Sequence, residues 1–539
     1  MEGERETVVL LVLALALAFM LSYSVHAVYP YEFIDPDAGQ GVVAGFYPYP
    51  LHSDEWSHLS AGLAIAEEGR INFNPLTGEG MSDRELGFHL FLAGLFRILK
   101  FFMIQGVGLV YAYHLLASLM LVVNSFILFW IVSRFTQSNW IGLASIPFLV
   151  LVPSNANILG NWFFTPQTFS LALVFVYAFV FSEALESREG LAKQFALAGI
   201  IFLASIFIYP FAALLMALLS AGLMATRIGF IRKSWKSLLV LCGAMLVVSV
   251  LFIMLYFGDG SGLSSALRHF FSEISFEPGW TSIEYSYSAI GLYGMIPLLM
   301  ALLGSVCLVW KRKGEPRLFF IWPVIHLAIL LIYNLTGTSF FFPYQRNLFY
   351  LMVSLAPLAG MGLYWIAELA GRHSRVFFSR KNRKRQARMV AIGVVAILLI
   401  LSFKSYYRIE PASFSLHKLI TPENKEAFEW LDKNEAHYQT LMTSPFVSLV
   451  AYPLARMRVV GAMSASLEGG DFEAVMAFFG SSDCGEKEDL MREKGAGLVL
   501  SSENIECSFL KEIYSRKGIR IYKTYAVDAA VDAAEGVKR

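Results

Sequence analysis

Long apolar runs, separated by short polar interruptions, dominate the hydropathy pattern of this chain. A helix crossing about 30 Å of hydrocarbon needs roughly 17 to 25 such residues. Runs of that kind fall at Val8–Tyr29, Gly108–Ser133, Trp140–Leu159, Phe164–Leu185, Phe195–Tyr209 and Phe211–Thr226. Others follow at Leu238–Phe257, Ala289–Trp310, Phe319–Asn334, Leu348–Leu369 and Met389–Phe403. The pattern predicts about eleven membrane-spanning helices.

Three interruptions are longer. The first runs from Pro30 to Val107. Within it Asp54–Glu68 reads as a helix, because Trp56, Leu59, Leu63 and Ala66 recur near helical spacing and two carboxylates sit in its first turn, where the helix dipole favours negative charge. After the turn "NPLTGEG", Glu85–Phe102 reads as a mainly apolar helix that carries Arg97 and Lys100, as an interfacial helix would. The second interruption is "GDGSGLSSALRHFFSEISFEPGWTSIEYSYS" and the third "TGTSFFFPYQRN". From Ser405 the composition turns globular. Thr421-Pro-Glu-Asn opens a helix with an N-cap and Pro at N1, and "YQTLMTS", "RVVGAM", "GLVLSS" and "GIRIYKTY" read as short strands. The expected organisation is a helical membrane domain over 1–404 with a large loop at 30–107, an α/β domain over 405–525 with a parallel or mixed sheet, and a disordered tail at 526–539.

Composition supports this class. Of 539 residues, 56% are hydrophobic and only 16% charged, which marks a polytopic membrane protein. Net charge is +1 without a basic patch interleaved with aromatics, so nucleic acid is not an expected partner. Lys and Arg gather in alternate loops: Arg134; Arg188 and Lys193; Arg227, Arg232, Lys233 and Lys236; Lys311, Arg312, Lys313 and Arg317; and "RHSRVFFSRKNRKRQAR". The opposite loops hold little beyond Arg70, Arg84, Arg268 and Arg346. The positive-inside rule then puts the N-terminus in the cytoplasm and the C-terminal domain outside, in a multi-pass plasma-membrane protein. The acidic start "MEGERE" favours a retained first span over a cleaved signal. Cys484 and Cys507 fall in the external domain, where a disulfide and two buried thiols are both open readings.

Candidate chemistry concentrates in "LHSDEWSHLS", where Asp54 and Glu55 stand just beyond the first span. A carboxylate there can serve as a general base or hold a divalent cation; the plainer reading is a helix cap. His58 lies four residues after Asp54 and shares its helical face, so it can join Asp54 at a cation, orient it, or be a satisfied structural histidine. His52 and Glu284 carry less signal, and His89 and His114 read as structural residues of apolar helices.

The acidic pair in "SDEWSHLSAGLAIAEEG", the apolar helix "ELGFHLFLAGLFRILK", the many spans, "YQRNLFYLMVSLAPLAGMGL" and the α/β tail together resemble the GT-C superfamily of membrane glycosyltransferases, particularly its prokaryotic protein mannosyltransferase and aminoarabinose transferase-like members. The resemblance implies transfer of a sugar from a polyprenyl- or dolichyl-phosphate donor to a glycan, lipid or protein acceptor on the outer face. It implies Asp54 as catalytic base, with Glu55 second. It also calls for a cation at the departing phosphate. Arg346, among Tyr344, Gln345 and Asn347 at a span end, is the first candidate, and Arg268 and His269 are weaker ones. The alternative for Arg346 is snorkelling to lipid headgroups. Oligosaccharyltransferase catalytic subunits of that superfamily carry a Trp-Trp-Asp signature that this sequence lacks. A secondary transporter or a noncatalytic scaffold are the competing classes.

Overall fold

A computed structural model of the chain describes residues 2–28, 49–80, 85–102, 109–154, 160–186, 191–226, 288–311, 317–373, 419–462 and 469–525, with isolated positions 243, 247, 250, 254, 275–276 and 393. The expected spans at 238–257 and 389–403 lie almost wholly outside the described residues, as do Arg268, His269 and Glu284. The fold is a helical membrane architecture with a small C-terminal α/β part. Five described helices are long and apolar enough to cross a membrane: Arg5–Ser24, Ala112–Thr136, Pro166–Leu185, Arg317–Thr336 and Tyr344–Leu369. Four shorter apolar helices cover Asn139–Val150, Ala192–Ile208, Pro210–Ala225 and Met295–Trp310.

The chain divides into two compact units, Met1–Tyr29 with Leu115–Glu410, and Pro30–His114 with Pro411–Arg539. The helical unit contains α1 (Glu2–Val28), most of α4 (Leu109–Thr136), α5 (Asn139–Val150), α6 (Pro166–Glu186), α7 (Leu191–Ile208) and α8 (Pro210–Ala225). It continues with α9 (Ala289–Tyr293), α10 (Met295–Lys311), α11 (Arg317–Thr336) and α12 (Tyr344–His373), plus a two-residue ladder of β1 (Ser275–Phe276) and β2 (Ser339–Phe340). Pro210 begins α8 at its first turn, where a missing N–H costs nothing. The expected span Ala289–Trp310 is interrupted at Gly294, whose φ of 86° ends α9 and lets α10 restart. Helix α12 is the spine of this unit. A Cβ added at Gly362 would meet the Met300 carbonyl at 2.0 Å, and one at Gly304 the Leu358 carbonyl at 1.8 Å. In a membrane, where apolar burial does not drive helices together, such glycine contacts supply the close packing.

The α/β unit joins the first long interruption to the tail. It holds α2 (Ser53–Glu68), α3 (Leu86–Phe101), α13 (Pro422–Asn434), α14 (Ala451–Ala455), α15 (Phe472–Gly480) and α16 (Cys484–Glu493). Its mixed sheet has the order β4-β3-β7-β9-β8, with β3 (Thr440–Met442) parallel to both β4 (Arg458–Val459) and β7 (Leu498–Ser501), and β9 (Ile519–Thr524) antiparallel to β7 and β8 (Leu510–Arg516). A short ladder of β5 (Gly461–Ala462) and β6 (Gly469–Gly470) completes it. Thr421 caps α13 by accepting the Asn424 N–H at 3.1 Å, with Pro422 next to it, as expected. Strand β8 was not apparent in the hydropathy pattern, because Lys511, Glu512 and Arg516 give it the charge that protects a sheet edge. Its hairpin turn is Lys517-Gly518, both with positive φ, the geometry of a tight two-residue connection. Cys484 and Cys507 form a disulfide, which settles the cysteine question left open above.

The two sequence-distant halves of this unit are tied by named bonds. The Val459 N–H donates to the Leu76 carbonyl at 2.6 Å. Arg456 grips Glu67 through Nε at 2.5 Å and Nη2 at 2.6 Å, a bidentate pair. The Tyr452 hydroxyl donates to Glu68. Burial first, then that carboxylate, push the Tyr452 pKa well above the ordinary tyrosine range, so the phenol keeps its proton.

Candidate functional site

Helix α2 begins with a division of labour between its two carboxylates. His52 is the N-cap, extended at φ −110° and ψ 152°, and its Nδ1 accepts the Asp54 N–H at 3.0 Å. Glu55, three residues on, reaches back so that Oε2 accepts the His52 N–H at 3.1 Å and the Leu51 N–H at 2.8 Å. This is a capping box with histidine in the position usually held by Ser or Thr. Glu55 is 0% exposed and occupied with backbone donors. Asp54 is 6% exposed, and among the described residues no hydrogen bond or ion pair reaches its carboxylate. Tyr113, fully buried, lies within electrostatic reach of both carboxylates. The cap therefore uses His52, a residue with little sequence signal; the cue was its spacing, three positions before a glutamate.

Farther along α2, His58 is buried against α3. Its Nδ1 lies 3.0 Å from His89 Nε2 and 3.5 Å from Glu85 Oε2. One nitrogen, one more nitrogen and a carboxylate oxygen converge within 4.8 Å of one another. His89 thus shares a cluster with His58, beyond the structural role expected of it. The signal for it was the i, i+4 spacing of Glu85 and His89, which sets both on one face of α3.

The helical unit holds the second group of candidates. Arg346 lies in the first turn of α12, two residues inside the start at Tyr344, so it stands where free N–H groups and the helix dipole favour an anion. Its Nη1 is buried without a hydrogen-bond partner among the described residues. Tyr344 packs its ring 4.6 Å from that of Tyr333, and Gln345 is half-buried. Asn347 turns inward: its Oδ1 accepts from His326 Nδ1 at 2.5 Å and its Nδ2 donates to the His326 carbonyl at 3.1 Å. That pairing assigns the proton to Nδ1 and leaves His326 Nε2, also buried, without a hydrogen-bond partner among the described residues.

Residues 54–479 match the model of DUF6541, described as a family of unknown function. The chain belongs to the DUF6541 family. No curated protein matches the sequence of this DUF6541 chain. Solved structures do match its fold. The Archaeoglobus fulgidus oligosaccharyltransferase in its apo form aligns at 12% identity and TM-score 0.58 over 91% of this chain and 69% of the other. The archaeal oligosaccharyltransferase AglB from the same organism, in complex with an inhibitory peptide and a dolichol-phosphate, aligns at 12% identity and TM-score 0.54, over 91% and 69%. ArnT from Cupriavidus metallidurans bound to undecaprenyl phosphate aligns at 12% identity and TM-score 0.54, over 95% of this chain and 97% of ArnT. The DUF6541 chain therefore has the GT-C fold that its sequence resembles.

Proposed function

We propose that this protein is a membrane glycosyltransferase that moves a sugar from a polyprenyl- or dolichyl-phosphate carrier to an acceptor on the outer face of the membrane. The observation that carries the reading is the Asp54 carboxylate, nearly buried and without a hydrogen bond or ion pair among the described residues, beside a Glu55 consumed by the helix cap. Asp54 takes the proton of the acceptor hydroxyl or amine, the acceptor atom bonds to the anomeric carbon, and the carrier phosphate leaves with the electron pair of the broken bond. Within the helical unit, Arg346 and the first-turn N–H groups of α12, with Tyr344 and Gln345 beside them, are the groups suited to binding a phosphate. The lipid-phosphate donor is supported by the carriers bound in the AglB and ArnT structures. It is also supported by α3, which presents Leu90, Phe91, Ile98 and Phe101 on its exposed side, as a helix lying in a bilayer surface would.

The segregation of Lys and Arg supports a cytoplasmic N-terminus and an external α/β unit. Labelling of cysteines introduced at Asn434 and Asn382 checks this: reagent added outside cells should modify the first and spare the second. The activity itself is tested in proteoliposomes by incubating the purified protein with polyprenyl-phosphate sugars and acceptor candidates, and measuring release of the free carrier phosphate. Release that requires Asp54 is expected. Absence of release from every lipid-linked donor, with the protein folded, would overturn the assignment.

A further inference from the structure

We infer that His58, Glu85 and His89 form a zinc-binding site that clamps α2 to α3. The inference stands apart from the activity proposed above, since it uses neither Asp54 nor Arg346. Three potential ligand atoms from two helices, one each from His58, Glu85 and His89, lie within 4.8 Å of one another. Separations of 3.0 Å and 3.5 Å from His58 Nδ1 match the edge of a tetrahedron around zinc, about 3.3 Å for metal–ligand bonds of about 2.0–2.1 Å. A single N–H on His58 can point at only one of these neighbours, whereas a cation between them satisfies all three at once.

Helix packing builds this convergence into the fold. Glu85 and His89 are four residues apart at the start of α3 and face the same way. His58 and Gly62 have the same relation on α2, and a Cβ added at Gly62 would lie 2.6 Å from the Leu92 Cβ. The backbones therefore come into close approach one turn beyond the histidines. The Phe88 ring meets His58 edge-on at 5.4 Å and holds it in place. His58 and His89 are 2% and 1% exposed, while the Glu85 side chain is 21% exposed, which leaves the carboxylate edge open to a water as fourth ligand. Two imidazoles with one carboxylate suit zinc rather than magnesium or calcium, which prefer oxygen ligands.

The test is metal content. Full-length protein, purified in detergent and dialysed against Zn²⁺ and then metal-free buffer, is expected to retain about one zinc per chain by elemental analysis. Replacement by Co²⁺ should give the intense visible absorption of a tetrahedral site. Glu85→Gln, which keeps shape but removes the charge, should weaken zinc retention at least ten-fold, and His89→Ala should abolish it. Gel filtration and circular dichroism of both variants establish that they remain folded; if His89→Ala does not, Glu85→Gln and the Co²⁺ spectrum of the unaltered protein still decide. No retained zinc and no tetrahedral Co²⁺ spectrum in the unaltered protein would overturn the site and leave a hydrogen-bonded histidine pair. Zinc retained equally by folded Glu85→Gln and His89→Ala would place the metal elsewhere and overturn it too.

Discussion

In the α/β unit the carboxylates Glu55, Glu67 and Glu68 each meet a named donor, whereas in the helical unit Arg346 Nη1 and His326 Nε2 are buried with no hydrogen-bond partner among the described residues. A buried polar group left unsatisfied costs roughly 1–3 kcal/mol, so neither pattern is a neutral background. In the first unit the bonded carboxylates fix a helix start and tie two distant stretches of chain together. In the second, the unpaired groups lie at and beside the first turn of α12, where a ligand can supply the missing partner. Asp54 differs from those three carboxylates: among the described residues no hydrogen bond or ion pair reaches it. Pairing thus separates two carboxylates adjacent in sequence: Glu55 is taken up by the helix start, and Asp54 is not.

The sharpest way to break that contrast is at Asp54 and Glu55 together. Asp54→Asn should lower sugar transfer by about 10²- to 10⁴-fold, the usual contribution of a general base, with the melting temperature unchanged. Glu55→Gln should keep most activity, because both of its backbone bonds go to the one oxygen Oε2, which the amide oxygen can replace. Equal loss in both variants, measured in proteoliposomes, would erase the distinction. Arg346→Ala comes next: losing a charged donor to phosphate should weaken donor use about ten- to hundred-fold, and Arg346→Lys somewhat less, since a point charge lacks the planar fork. Donor titrations that do not move in either variant would return Arg346 to a snorkelling role.

Smaller effects concern stability. Glu55→Ala should cost about 2–3 kcal/mol by leaving the Leu51 and His52 N–H groups buried without acceptors, read from chemical denaturation in detergent. Arg456→Ala should cost about 1–2 kcal/mol, because its pair with Glu67 is bidentate but only partly shielded from water. If Arg456→Ala proved the costlier of the two, the tie between first loop and tail would outweigh the capping box.

Periodic features were legible in the sequence. The helix expected over Asp54–Glu68 is Ser53–Glu68, and that expected over Glu85–Phe102 is Leu86–Phe101, because a 3.6-residue apolar repeat and a capping residue are local properties. Features that depend on contact were not. Asp54 and Glu55 are equally suited to a helix start, and only burial and acceptor geometry separate them. His58 and His89 are 31 positions apart and lie on different helices, so their meeting has no sequence period. Strand β8 was hidden by the charges of an edge. His58 follows Asp54 by four residues, yet the contacts that its imidazole makes across the helix pair are with Glu85 and with His89 of α3.

The clamp between Arg456 and Glu67 has a consequence for biosynthesis. Tyr452 and Glu68 are separated by 384 residues, and Arg456 and Glu67 by 389, so the end of α2 emerges from the ribosome long before its partners exist. At about 5–20 residues per second, the interval is roughly 20–80 s. During that time the helix that carries Asp54 lacks the contacts that hold its far end. The α/β unit is thus among the last parts of the chain to assemble, and a nascent chain released before residue 452 can fold its early spans yet never complete that unit.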